Sequence, residues 1–411
     1  MHNKNRLESP FHIAKRVELA TWKKVLIKIG AGLVALLLCG IISQIVGCDF
    51  GTFFEQLILG NFGTPRRILI LFETLAILLM VSLAVTPAFK MRFWNIGAEG
   101  QVLMGALLCY VAMHYFGGKI PDGLLVVICL AFAIVGGGVW GAIPAIFKAK
   151  WNTNETLFTL MLNYIASGLI VYLITIWAPT GSGSLGVEQY GHLPLIGGQR
   201  YVFNIIIVAI FTVLMFVYLK YSKHGYELSV VGESVNTAKY VGINVRGVIV
   251  RTMVLSGILC GIAGFLLVCG ADYTISANTA GGRGFTAILV SWLAGFNPAI
   301  MAVMAFLVAF ISQGAKQVAT ISGFRNSFAD IMTAIFFFGL IASNFFISYK
   351  LKVNKKFFER FKKKVEAKTE EIIVESDNSE DKKEDGEEST KIEKEGQLEG
   401  VSADSNEEEG K

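Results

Sequence analysis

Nine apolar runs, near residues 29–46, 68–86, 96–116, 123–147, 157–177, 202–221, 250–270, 285–314 and 328–349, take up most of the chain. Each is near or above the roughly 20 residues that an α-helix needs to cross about 30 Å of hydrocarbon. The sequence therefore predicts an all-α fold, a polytopic transmembrane helical bundle. Composition agrees: 17% of residues are charged, against about 25% in a typical soluble domain, which argues against a soluble globule.

The few charges are unevenly placed. Residues 350–411 hold 14 of the 37 Lys+Arg and 19 of the 32 Asp+Glu, so the net +5 of the chain averages an acidic end and a basic body. The basic residues of the body lie mainly beside apolar runs, where the positive-inside rule puts them, and this argues against a nucleic-acid partner. Residues 1–28 read as a basic cytoplasmic leader. A signal peptide is the rival, and Ile45-Val46-Gly47-Cys48 resembles a lipoprotein cleavage box. The length of the leader and of the following run favours a first transmembrane helix.

The run from Phe285 to Gly314 is broken by Asn297-Pro298, where proline removes a backbone donor and restricts the residue before it. Counting two crossings there gives ten spans, both termini in the cytoplasm, and 24 Lys+Arg on cytoplasmic segments against 7 on external ones. Residues 285–296 alone would rise only about 18 Å as a helix, so this crossing has to recruit Ser276 to Gly284. Irregular backbone at that depth is tolerated where protein buries it or where it lines a wet cavity. The stretch Thr279 to Phe285 is thus a candidate for a broken helix lining a path; an external loop before a re-entrant segment is the alternative.

These runs define a transmembrane domain over 29–349 with a cytoplasmic loop at 221–250, and a basic juxtamembrane segment at 350–364 suited to anionic lipid heads. Residues 365–411 carry 18 Asp+Glu and 6 Lys with almost no large hydrophobes, which predicts a disordered acidic tail.

No ATP-binding, zinc-protease or nucleophile-elbow motif occurs, so no catalytic residue and no enzyme activity is expected on this chain. The six cysteines sit in or beside apolar runs without metal-ligand spacing and read as small buried hydrophobes, with no metal expected. Gly136-x-Gly138-x-x-Gly141 and Gly257-x-x-x-Gly261 lie inside apolar runs, where small residues let helices approach closely.

Polar groups inside the runs carry the functional reading. Asn95, Glu99 and Gln101 open the third run; an intramembrane ionisable group normally faces the bundle interior or a water-filled path, while a helix cap is the structural alternative for Glu99. Glu73 and Asp330 are similar but less clustered. Asn163 suits either interhelical hydrogen bonding or solute contact. In the cytoplasmic loop, residues 232–244 read as one short helix capped by Ser234, with Val235, Ala238 and Val241 on one face and a stop at Gly242. Such a helix suits docking to a cytoplasmic partner; lying on the membrane surface is the alternative.

Asn95 to Gln101, Leu160 to Ala166, Gly225-Tyr226-Glu227-Leu228 running into 232–244, and Gly284 to Ile288 with Asn297-Pro298 together resemble the permease subunit of bacterial ABC importers of the ribose and branched-chain amino acid type. Within that family the chain is most similar to nucleoside importer permeases. The resemblance implies a plasma-membrane permease that works by alternating access beside a second, often non-identical permease. It also implies a cytoplasmic ABC ATPase that supplies ATP and magnesium chemistry, and an extracytoplasmic substrate-binding lipoprotein; no cofactor belongs to this chain. Asn95, Glu99, Gln101, Asn163, Arg283, Phe285, Thr286 and Asn297 are then the expected path residues. Gly232, Glu233, Asn236, Ala238, Tyr240, Gly242 and Asn244 become the coupling segment. A simple sugar such as ribose is the alternative cargo, and an ion-coupled secondary transporter is the competing class.

Overall fold

The computed structural model describes residues 11–16, 20–325 and 327–353. The chain divides into two units, a helical body over Thr21–Phe345 and a terminal unit formed by Met1–Ala20 with Phe346–Lys411. In the terminal unit β1 (Phe11–Lys15) pairs antiparallel with β2 (Tyr349–Val353), with Phe11 opposite Val353 and Lys15 opposite Tyr349. The expected leader and juxtamembrane segment thus meet as a two-stranded ribbon, a small exception to the helical class. The acidic tail beyond 364 lies outside the described residues.

The body runs α1 (Thr21–Val46), α2 (Phe50–Phe62), α3 (Pro65–Lys90), α4 (Ala98–Phe116), α5 (Asp122–Trp151), α6 (Glu155–Trp177) and α7 (Val202–Tyr221). It continues through α8 (Lys223–Glu233), α9 (Val235–Tyr240), α10 (Val245–Leu267), a π-helical turn at Val268–Asp272, α11 (Arg283–Leu293), α12 (Pro298–Ile321) and α13 (Ser327–Ser348). Among the described residues eight helices are long and apolar enough to cross a membrane: α1, α3, α5, α6, α7, α10 extended by the π turn, α12 and α13. The protein is a multi-pass all-α membrane protein.

Against the ten spans expected, eight helices meet this measure, and α4 and α11 fall short of it for two physical reasons. The 19 residues of α4 include Glu99 and Gln101 in the first turn, which offsets the apolar remainder. At eleven residues, α11 is about 17 Å long and is a half-helix rather than a span. Between the first two spans, α2 forms where the sequence reading recognised no element. Its N-cap is Asp49, whose Oδ2 accepts from the Gly51 and Thr52 amides at 3.0 and 3.2 Å, and it packs on α12 through Gly60, Gly314 and the Asn61 to Phe310 carbonyl bond of 2.9 Å.

The core centres on α10, α4, α5 and α3. Gly137 on α5 and Gly257 and Gly261 on α10 face one another so closely that a Cβ on any of them would meet the opposing backbone. Gly141 similarly faces the Met253 carbonyl. Between helices already in lipid, association rests on dispersion contacts rather than on expelling water, and close approach maximises them. The glycine motifs of the sequence are this packing surface.

Candidate functional site: a half-helix held at both ends

After α10 the chain leaves helical geometry gradually. The π turn and Tyr273, at φ +57°, free backbone carbonyls that hydrocarbon cannot satisfy. The loop between α6 and α7 supplies the donors: Leu193 N–H to the Cys269 carbonyl at 3.0 Å, Glu188 N–H to Tyr273 at 3.0 Å and Leu185 N–H to Ile275 at 2.9 Å. Gly281 and Gly282, at φ +58° and +72°, then turn the chain into α11 through backbone geometry that a side chain would strain.

The N-terminus of α11 is held by Glu99 of α4. One carboxylate oxygen, Oε1, accepts the Gly282 N–H at 2.7 Å and the other, Oε2, accepts the Gly284 N–H at 2.7 Å. A carboxylate at a helix N-terminus fills two orphan donors and complements the positive end of the dipole. Gly284 is required by the approach, because a Cβ there would lie 2.7 Å from the Glu99 Cα and 2.8 Å from Oε2. At the opposite end, Lys28 of α1 donates to the Leu293 carbonyl at 3.0 Å, a cation where the dipole is negative. Midway, Ser291 Oγ donates to the Ser82 carbonyl of α3 at 2.8 Å and lies 3.2 Å from Thr86 Oγ1. The half-helix is thus an independent short body with polar ties to α1, α3 and α4.

The other residues of the third run build the support for Glu99. Asn95 is fully buried; its amide pairs with Gln101 at 3.3 and 3.4 Å and donates to Ser256 of α10 at 3.2 Å. Asn163 of α6 accepts the Gly100 N–H at 2.8 Å and donates to the Ile96 carbonyl at 2.9 Å. Gly100 allows this, since a Cβ would stand 2.8 Å from the Asn163 amide oxygen. Asn95, Gln101 and Asn163 therefore have their polar groups engaged between helices. The path residues split accordingly: Glu99, Arg283 and Thr286 are partly exposed and Phe285 is exposed, all around the start of α11. Arg283 folds back on its own loop, donating to the Thr279 carbonyl at 3.3 Å. Asn297 is an exposed N-cap of α12, accepting from the Ala299 amide at 3.0 Å, and does not join this group.

The segment between α7 and α10 differs from the single helix expected over 232–244. Gly232 and Glu233 end α8, an element the sequence reading omitted; α9 spans only six residues; and Asn244 caps α10 through the Gly247 amide at 3.2 Å. Ser234 does cap α9, accepting from Thr237 N–H at 3.2 Å. Extended backbone at Ser234 is what divides the segment into two helices. Ala238 is buried, whereas Glu233, Val235, Asn236, Tyr240, Val241 and Gly242 are exposed, Tyr240 at 94%. Gly232 packs against the carbonyl end of α3 at Lys90. Beside α9 lies a groove of about 510 Å³ bordered by Tyr226, Glu227, Val241 and Arg251. Glu227 accepts a 2.9 Å bond from Arg251 Nη2, tying α8 to α10. That bond, with the charges of Arg251, Lys223 and His224, holds the Glu227 carboxyl below its ordinary value.

Sequence comparison adds relatives to this geometry. Residues 67–342 match the family described as branched-chain amino acid transport system / permease component. The guanosine ABC transporter permease protein NupP of Bacillus subtilis is 30% identical over 287 residues, 68% of this chain and 82% of its own. The nucleoside ABC transporter permease protein NupB of Lactococcus lactis is 27% identical, with coverage of 84% and 98%. The glucose ABC transporter permease protein TsgB13 of Haloferax volcanii is 28% identical, with coverage of 74% and 82%. With the family match extending from α3 into α13, this chain belongs to the branched-chain amino acid transport system permease family and is a non-catalytic, membrane-spanning subunit of an ABC importer.

Proposed function

We propose that the chain carries nucleosides inward by alternating access, with the bracketed half-helix α11 as the element that changes position. The observation that carries this reading is Glu99 accepting two amide bonds from the start of α11: two hydrogen bonds concentrated on one side chain can be made and broken as a unit. Binding energy moves such an equilibrium only through different affinity for its two states, and a ligand touching Phe285, Thr286 or Arg283 would have that leverage. A cytoplasmic ATPase seated on α9 and the adjoining groove, a second permease and an extracytoplasmic binding lipoprotein complete the importer. Both termini lie in the cytoplasm, supported by the pairing of β1 with β2 and by the excess of Lys+Arg on the segments assigned inside.

Nucleoside cargo rests on the guanosine and nucleoside permeases among the relatives, and the glucose permease keeps a sugar as the second reading. Family membership sets aside an ion-coupled carrier. Radiolabelled guanosine uptake separates the two cargoes. Cells lacking the gene, and any redundant importer, should lose guanosine uptake and regain it on complementation, with unlabelled adenosine or uridine competing and ribose and glucose not. Competition by ribose or glucose alone would select the sugar; uptake unaffected by deletion would overturn the nucleoside reading.

A further inference from the structure

The sequence separates Cys109, Cys129 and Cys269 by enough residues to conceal any relation, yet the fold places them together. Their Sγ atoms all lie within 4.8 Å of one another, and all three residues are buried. Cys109 and Cys269 are 3.3 Å apart, and Met113 adds a thioether 3.7 Å from Cys269 Sγ. The sulfurs come from three elements: α4 supplies Cys109 and Met113, α5 supplies Cys129, and the π turn supplies Cys269.

We infer that this cluster is a binding site for a soft monovalent metal ion of the Cu(I) class. Thiolate and thioether ligands select such ions over the harder divalent cations that prefer oxygen or imidazole. Three sulfurs around an ion at a bond length of about 2.3 Å stand roughly 4.0 Å apart, so the cluster reaches trigonal geometry by shifts of less than about 1 Å, with the Cys109–Cys269 pair opening from 3.3 Å. Charge decides between ions in a site this dry. One thiolate with a monovalent ion is neutral, the remaining thiols and thioether adding donor atoms without charge; a divalent ion needs two thiolates, and three thiolates would leave net charge in a medium where burying it is costly. A bound ion would join α4 and α5 to the turn at which α10 unwinds. Cys39 and Cys260 lie outside the cluster and serve as controls. The inference holds whichever solute the chain carries.

The test uses the full-length protein, purified in detergent without oxygen and in reductant, incubated with Ag(I) as a redox-inert probe and desalted. Wild type should retain about one ion per chain, as should Cys39→Ser and Cys260→Ser, while Cys129→Ser and Cys269→Ser should fall to the level of the Cys109/Cys129/Cys269 triple serine variant. Retention by wild type no greater than by the triple variant would overturn the site, as would its loss in Cys39→Ser or Cys260→Ser. A second measurement needs no variant: X-ray absorption of Cu(I)-loaded wild type should give three sulfur neighbours at about 2.3 Å. Nitrogen or oxygen neighbours, or a Cys109–Cys269 disulfide in the reduced protein, would contradict it.

Discussion

Glu99 concentrates the most consequence in one side chain. In Glu99→Gln one carbonyl oxygen remains to accept, but the new NH2 group points its hydrogens at an amide that is itself a donor. A hydrogen bond to a charged group is worth about 1.5–3 kcal/mol net, and each 1.4 kcal/mol is a factor of ten. Initial uptake at matched membrane abundance is therefore expected to fall on the order of tenfold or more; wild-type uptake by Glu99→Gln would remove the latch from the mechanism. Asn163 tests the support rather than the moving part. Asn163→Leu strands the Gly100 N–H and the Ile96 carbonyl, at about 1–3 kcal/mol for each buried group, and should lower the melting temperature of the purified protein by several degrees. The residue types of this site were legible, since amides and a carboxylate stand out inside apolar runs. Their partners were not: Asn163 and Gly100 are 63 residues apart, Glu99 and Gly284 185, and no local pattern encodes contacts at such separations. Lys28, Ser82, Thr86 and Ser291 were missed for the same reason, although each is a polar group in or beside an apolar run and that signal was available.

Among the elements, the glycine-lined meeting of α5 and α10 and the α8–α9 segment make contrasting predictions. Gly261→Val places a side chain against the Ala133 carbonyl and should deplete folded protein from the membrane fraction, whereas Gly168→Ala, with nothing within 4 Å of its Cβ, should leave abundance unchanged. Equal abundance of the two variants would contradict the packing role. Tyr240→Ala, at an exposed position, should keep abundance and stability but reduce recovery of the ATPase proposed to dock on α9 when the chain is purified from native membranes. The tie between α8 and α10 has a pH signature. With its carboxyl held below the ordinary value of 4.5, Glu227 contributes stability that is complete above that value and is lost as pH falls through the lowered one. Hydrogen exchange of α8 amides should therefore be steady near neutrality and accelerate in acid, and Glu227→Gln should exchange faster at neutral pH; an identical profile in the variant would deny the tie. The glycine surface was readable because close packing is what small residues in apolar runs do. The division of 232–244 was not, because the same residues satisfy a helix pattern on either side of Ser234 and only packing of Gly232 against α3 decides.

At the scale of the whole molecule, hydropathy and charge position established a multi-pass helical protein, and a half-helix near the Asn297-Pro298 break was anticipated. Eight helices meet the length and apolarity of a span where ten spans were read, because the polar head of α4 and the shortness of α11 keep both below that measure. The terminal ribbon had no signature in two short basic stretches at opposite ends of the chain. The central claim is that this chain moves nucleosides only in company with an ATPase. Guanosine uptake into proteoliposomes holding the complex purified from native membranes, with ATP on the ATPase side and protonophore present, tests it most directly. ATP-dependent accumulation that survives the protonophore and drops at least tenfold with Glu99→Gln is the expected result, and accumulation that proceeds without ATP or collapses with the proton gradient would contradict it.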